Sequence, residues 1–203
     1  MKIICIGRNY ADSAAPAAPD GEPLFFLRPD TALLRNDDPF YLPEFSREVW
    51  GGCELVVKIG RVGRCIEERF ARRYYDEVGL GVGFVARDVL ERAAAAGTPW
   101  ERAVVFDRSA ALSPEFVPLA ELGGDVQRLR FELEVNGQLR QAGDTSEMVF
   151  SVDRIIASVS RCITLKIGDL IYTGTPAGAG PVQAGDNLHA TLAGRTLLDF
   201  DIR

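Results

Sequence analysis

Few residues of this chain have the chemistry and spacing to build a reaction site unaided. His189 is the one histidine, so a histidine-based metal site or a Ser–His–Asp triad would have to be assembled around it. It sits in the apolar run Leu188 to Leu192 with no acid or metal partner at recognisable spacing, which predicts a core or surface histidine. The four cysteines, Cys5, Cys53, Cys65 and Cys162, form no CxxC pair and match no zinc module. They are expected as buried or partly buried free thiols rather than as a disulfide framework. Glu54 opens the apolar run to Ile59, where a lone buried carboxylate needs pairing, most simply with an arginine. Arg87 begins a helical stretch and either binds an anion or holds a local loop. The same two roles are open for Arg8 in Gly7-Arg8-Asn9. Thr175, within Gly174-Thr175-Pro176-Ala177-Gly178, belongs either to a binding turn or to a tight connection that Gly and Pro impose.

The elements that must position these residues follow from hydropathy and turn signals. Lys2 to Ile6, Leu24 to Leu27 (closed by Arg28-Pro29) and Glu54 to Ile59 read as strands. Ile66 to Glu77 carries Phe70 and Tyr74 at helical spacing. Arg87 to Ala96 reads as a helix, with Gly97 at the position of a C-terminal cap. Leu129 to Val135 alternates and meets Asn136-Gly137, a strong hairpin signal, with Gln138 to Gln141 returning. Asp144-Thr145-Ser146 can cap a helix whose buried stripe is Met148, Ile155, Ile156 and Val159. Asp169 to Tyr172, Leu188 to Leu192 and Leu197 to Ile202 complete the strands. The order shows no regular β-α-β alternation, so an α+β fold with a mainly antiparallel or mixed sheet is expected.

Composition bounds the remaining possibilities. At 203 residues, 47% hydrophobic and 26% charged, the chain suits a single folded domain spanning 1–203. A net charge of -6 excludes sequence-blind nucleic-acid binding, which needs clustered Lys and Arg. No apolar run approaches the roughly 18–20 residues of a membrane span, and the N-terminal apolar stretch is too short for a signal peptide. A cytoplasmic protein is the expectation.

Several segments together carry a resemblance. They are Gly7-Arg8-Asn9-Tyr10-Ala11-Asp12, Glu54-Leu55-Val56-Val57, Ala86-Arg87-Asp88 with Thr98-Pro99-Trp100, Thr145 to Ser151, and Gly168 to Pro181 around Thr173-Gly174-Thr175-Pro176. In order and spacing the chain resembles the fumarylacetoacetate hydrolase family in its small single-domain form, which includes acylpyruvate hydrolases and oxaloacetate decarboxylases. The resemblance implies a mixed, mainly β roll with short helices and a pocket at its mouth. It also implies a homodimer, or a heteromer with an active relative. Family chemistry cleaves or isomerises β-dicarbonyl or α-keto acids around Mg or Mn, whose Lewis acidity stabilises an enolate.

Carried over by position, the family's ligands are largely missing. Its Glu-x-Glu falls on Gly52 and Glu54, which share a face if the strand extends back that far. The third carboxylate falls on Gly83. The acid–base histidine and glutamate fall on Ser13 and Pro16, and the lysine near Val104. Glu54 is left as the one metal-type residue, with Arg8, Arg87, Gly174 and Thr175 as pocket residues. Asp12 and Glu48 are the candidate substitute ligands. The resemblance therefore implies no cofactor, or weakly held Mg or Mn. It implies a catalytically impaired or inactive member that keeps a pocket for a small organic acid or serves as a structural or regulatory subunit. The alternative is an active Mg- or Mn-dependent hydrolase or decarboxylase of acylpyruvates or oxaloacetate that uses substitute ligands.

Overall fold

The computed structural model of the chain describes residues 1–11 and 21–203. In chain order the strands are β1 (Ile3–Gly7), β2 (Leu24–Arg28), β3 (Leu33–Leu34), β4 (Val49–Ile59), β5 (Tyr75–Ala86), β6 (Ala110–Leu112) and β7 (Val117–Pro118). They continue with β8 (Arg130–Val135), β9 (Gln138–Asp144), β10 (Leu170–Tyr172), β11 (Gly180–Pro181), β12 (Asn187–Leu192) and β13 (Arg195–Asp201). The two α-helices are α1 (Arg87–Ala96) and α2 (Val152–Cys162). Among the described residues the large sheet runs β2-β1-β10-β4-β5-β6-β3, with β11 on β4 and β7 on β5. The small sheet runs β13-β12-β8-β9. The β1–β10 and β3–β6 pairs are parallel and the central β4–β5 pair antiparallel, which makes the large sheet mixed.

Strand alternation gives the large sheet two different faces. Ile4, Ile6, Leu55, Val57, Leu80, Val82 and Phe84 enter the main core, where Phe131, Leu133, Leu188 and Leu198 of the small sheet meet them. The intervening residues Ile3, Cys5, Val56, Ala110, Leu112 and Tyr172 form a smaller cluster on the opposite face. Glu54 and Gly52 continue the Val56 face toward the end of β4, and Gly83 stands directly opposite Gly52.

That second face is concave. Arg28 on β2 donates through Nη2 to the Phe84 carbonyl of β5, 3.1 Å away. In a flat sheet four strand spacings would separate the two strands by about 19 Å, beyond an arginine's reach. The Tyr172 hydroxyl likewise crosses from β10 to the Ala111 carbonyl of β6 at 2.8 Å. The sheet is therefore curled into the β roll of an α+β fold, around the cluster that contains Ile3, Val56 and Tyr172.

Three local expectations change. The helical spacing from Ile66 yields only a 3-10 segment, Glu68–Tyr74, because Tyr75 onward is taken as β4's partner, with Val57 facing Val78. Asp144 caps the short 3-10 turn Thr145–Glu147 rather than a helix. The cap of α2 is Ser151, whose hydroxyl accepts the Arg154 N–H at 3.1 Å, so Met148 lies outside that helix. What holds Met148 to Phe150 extended is Asn9: its side chain accepts from the Phe150 N–H at 2.8 Å and donates to the Phe150 and Thr173 carbonyls. Finally, Cys5 and Cys53 are buried free thiols, but Cys65 and Cys162 are exposed. Helix α1 matches its expected bounds, with Gly97 at φ 63° as its cap.

Candidate functional site

A cleft of about 330 Å³ opens at the mouth of the roll. Its walls come from the ends of β1, β2, β4 and β5, the first turns of α1, and the turn from Thr175 to Ala179. Arg8, Arg28, Arg87, Glu54, Gly52, Gly83 and Thr175 all line it. A second hollow, of about 510 Å³, lies near Leu122, Arg130, Asp144 and Ala193. There Arg130 and Asp144 are already paired at 3.1 Å, and none of the sequence-predicted site residues is present.

Glu54 is the cleft's buried carboxylate. Its Oε2 accepts the backbone N–H of Gly174 at 2.7 Å. Burial pushes its carboxyl up to about 7, against the opposing pull of that N–H and of the Arg28 charge. The expected arginine is thus nearby, but Glu54's bonded partner is a backbone amide. Gly174 provides it at φ 100°, where a Cβ would stand 2.8 Å from the Asn9 Cβ, so the tight turn has room only for glycine.

Thr175 serves the turn itself. Its hydroxyl donates to the Cys53 carbonyl at 2.9 Å and accepts from Gln141 Nε2 at 3.0 Å. Arg87 makes local contacts and also borders the cleft. Its guanidinium lies 4.9 Å from the Trp50 ring centre and its Nε bonds Glu91 at 2.8 Å, while the side chain still borders the cleft. Arg8 is exposed at the rim, with φ 58°.

The remaining sequence candidates fall elsewhere. Val104 is buried beside Ala86, Val89 and Ala103 and does not border the cleft. Glu48 accepts the Trp50 indole N–H at 2.7 Å and is exposed, so it is not offered to the cleft as a ligand. His189 lies on the small sheet, 3.0 Å from the Thr196 hydroxyl and 3.6 Å from Glu134. Asp12, Ser13 and Pro16 lie outside the described residues.

Two buried residues carry the site without having been singled out by sequence. Arg28 is 4% exposed and donates to the Ser109 and Phe84 carbonyls, with its Nε unpartnered among the described residues. The available signal was its alternation with Phe26, which puts both on the concave face. Gln141, 1% exposed, reaches from β9 to accept the Cys53 N–H at 2.8 Å and to donate to Thr175 and the Pro176 carbonyl. No local pattern marks it.

A divalent ion needs several hard oxygen ligands converging on one point. Among the described residues no three His, Cys, Asp or Glu side chains converge in that way. The two positions that would complete the set are also filled. A Cβ on Gly52 would stand 2.6 Å from the Thr175 hydroxyl and 3.1 Å from Ala179 Cβ. A Cβ on Gly83 would stand 2.8 Å from Glu54 Oε1 and 3.5 Å from Arg28 Nη2. Among the described residues, one carboxylate beside a guanidinium does not fit Mg or Mn. The buried Cys5 thiol is a soft ligand of the kind that Mg and Mn do not select.

Known proteins and solved structures similar to this chain span nearly its whole length. Residues 2–202 match the family model described as fumarylacetoacetate (FAA) hydrolase C-terminal. Oxaloacetate tautomerase YcgM of Escherichia coli (strain K12) is 40% identical over 199 residues, covering 97% of this chain and 90% of that protein. The mitochondrial oxaloacetate tautomerase FAHD1 of Homo sapiens is 39% identical over 202 residues, covering 98% and 90%. Among solved structures, a fumarylacetoacetate hydrolase family protein from Yersinia pestis CO92 superposes with a TM-score of 0.92 at 35% identity, covering 100% of this chain and 93% of that one. Fumarylpyruvate hydrolase from Pseudomonas aeruginosa, in complex with Mn2+ and pyruvate, gives 0.91 at 29% identity, covering 100% and 89%.

Proposed function

Because the chain belongs to the fumarylacetoacetate hydrolase family, we propose that its cleft binds a small 2-oxo acid of the pyruvate and oxaloacetate kind, and that it is impaired in the family's metal-assisted carbon–carbon cleavage. The observation that carries this reading is the charge of the cleft: among the described residues, Arg8, Arg28 and Arg87 line it against the single carboxylate of Glu54. Three guanidinium groups favour an anionic ligand, and the names of the relatives indicate which anions such a pocket takes in this family. The impairment is supported by the side chains that fill the spaces at Gly52 and Gly83. Calorimetric titration with pyruvate, beside assays of oxaloacetate decarboxylation and acylpyruvate hydrolysis with Mn2+ added, tests both parts. Saturable binding without turnover is expected. Turnover on the order of 1 per second or faster would overturn the impairment.

A second reading is active rather than silent, and it is favoured by the oxaloacetate tautomerases at 39–40% identity. Tautomerisation moves one proton between carbon and oxygen and breaks no carbon–carbon bond. A carboxyl poised at about 7 beside the cleft is suited to taking and returning such a proton. Ultraviolet measurement of oxaloacetate keto–enol equilibration, with Glu54→Gln as the control, separates the two. Acceleration that is lost in the variant supports the active reading, and no acceleration by the parent supports the silent one.

A further inference from the structure

Arg28 stands out because its contacts leave its charge unanswered. It is 4% exposed, and its bonded partners are the neutral carbonyls of Ser109 and Phe84. A buried guanidinium ordinarily meets a carboxylate. The nearest candidate, Glu54, approaches the same space over Gly83 but spends Oε2 on the Gly174 N–H. Of the guanidinium's five donors, Nε–H is buried with no hydrogen-bond partner among the described residues, and Nη1 and Nη2 each keep a second N–H beyond their carbonyl bonds. The side chain also borders the cleft.

Resting on the reading of this cleft as an organic-acid site, we propose that Arg28 is its anion-binding group. Its guanidinium, through the Nη N–H groups that the two carbonyl bonds leave over, takes a carboxylate or keto oxygen of a small 2-oxo acid, so that the acid is held without a divalent cation. The fixed guanidinium stands at Gly83, one of the two positions whose side chains are missing for a metal. The positive charge is thereby part of the chain and needs no loading. Two carbonyl bonds hold the guanidinium in place, which preorganises it for a planar carboxylate.

The test uses the full-length protein and pyruvate as probe. In EDTA the parent should bind pyruvate stoichiometrically, and replacing EDTA with Mn2+ should change Kd by less than twofold. Arg28→Lys, which keeps a charge and can still reach the carbonyls, should weaken binding at least tenfold, as should Arg28→Met. Arg8→Ala at the exposed rim should weaken it less than Arg28→Lys. A crystal structure of the parent with pyruvate, grown in EDTA, should put a ligand oxygen within about 3.2 Å of an Arg28 guanidinium nitrogen. That last measurement decides the matter even if both Arg28 variants fail to fold. A pyruvate seated in the cleft but away from the Arg28 guanidinium, or bound equally by folded Arg28→Lys, would overturn the role of Arg28 while leaving the organic-acid reading intact. Binding by the parent only when Mn2+ is present would overturn metal independence. Absence of pyruvate binding with and without Mn2+ would overturn the organic-acid reading together with the inference.

Discussion

At the scale of single residues the cleft is decided by what stands opposite two glycines. An aspartate at position 83 would bring its Cβ to 2.8 Å from Glu54 Oε1 and its charge alongside that carboxylate. Gly83→Asp is therefore expected to lower stability by roughly 1–3 kcal/mol, as overpacking of a filled site does, and to gain no Mn2+ affinity. Combining it with Gly52→Glu should not restore metal binding, because Thr175 holds the other space through two hydrogen bonds. Urea melts and Mn2+ titration of both variants check this; micromolar Mn2+ binding would show that the site relaxes further than its contacts indicate. Glu54 carries a pH signature of its own. Its carboxyl is raised from an ordinary 4.5 to about 7, so between those values the unfolded chain ionises while the folded one keeps its proton. Stability should fall as pH rises through that window, by about 3 kcal/mol in all, and be level above it. Glu54→Gln should abolish this slope and be the more stable protein at pH 8, as denaturant melts at pH 5 and pH 8 would show. Anion binding should also weaken above about 7, where Glu54 becomes negative among Arg28, Arg8 and Arg87.

At the scale of elements, the site depends on a strand that does not touch the cleft. Gln141 sits on β9 of the small sheet, yet its amide accepts the Cys53 N–H of β4 and donates to Thr175 and the Pro176 carbonyl. One side chain thus ties the two sheets to the turn that delivers the Gly174 N–H to Glu54. Gln141→Ala leaves those backbone groups unpaired in a buried place. It is expected to cost about 2–4 kcal/mol and to weaken pyruvate binding with no change in cleft charge; a Gln141→Glu protein that binds as tightly as the parent would argue against that coupling. Such long-range ties also mark the limit of what sequence reveals. Strands such as Ile3–Gly7 and the Asn136-Gly137 hairpin were legible because alternation and turn chemistry are local. So was α1, through the Gly97 cap. The run from Ile66 was misread because its helical spacing competes with Tyr75–Ala86 pairing along β4, which no local pattern reports. The motif residues Arg8, Glu54, Arg87 and Thr175 do meet in one cleft. Arg28 and Gln141 went unseen because their roles arise only when the sheet curls and the second sheet packs against it.

At the scale of the whole molecule, the curl makes the response to ligands a property of global stability. The cleft is closed by strands that are distant in order, β2 and β5 joined through Arg28 and β10 and β6 through Tyr172. An anion seated between them would bridge elements that part on unfolding, so it should stabilise the folded state as a unit. A divalent ion finds no converging set of ligands among the described residues. The melting temperature is therefore expected to be the same in EDTA and in millimolar Mn2+, and to rise with pyruvate. At a pyruvate concentration about 100 times Kd, linkage gives about 2.7 kcal/mol. For a chain of 203 residues that corresponds to a rise of roughly 5–11 °C. In Arg28→Lys, where affinity should be at least tenfold weaker, the same pyruvate concentration should give about half of that rise. Scanning calorimetry of the parent and the variant in EDTA, Mn2+ and pyruvate reads all three expectations in one experiment. A rise of similar size with Mn2+ alone would mean that the chain closes around a cation after all, with ligands drawn from outside the cleft as its walls now stand.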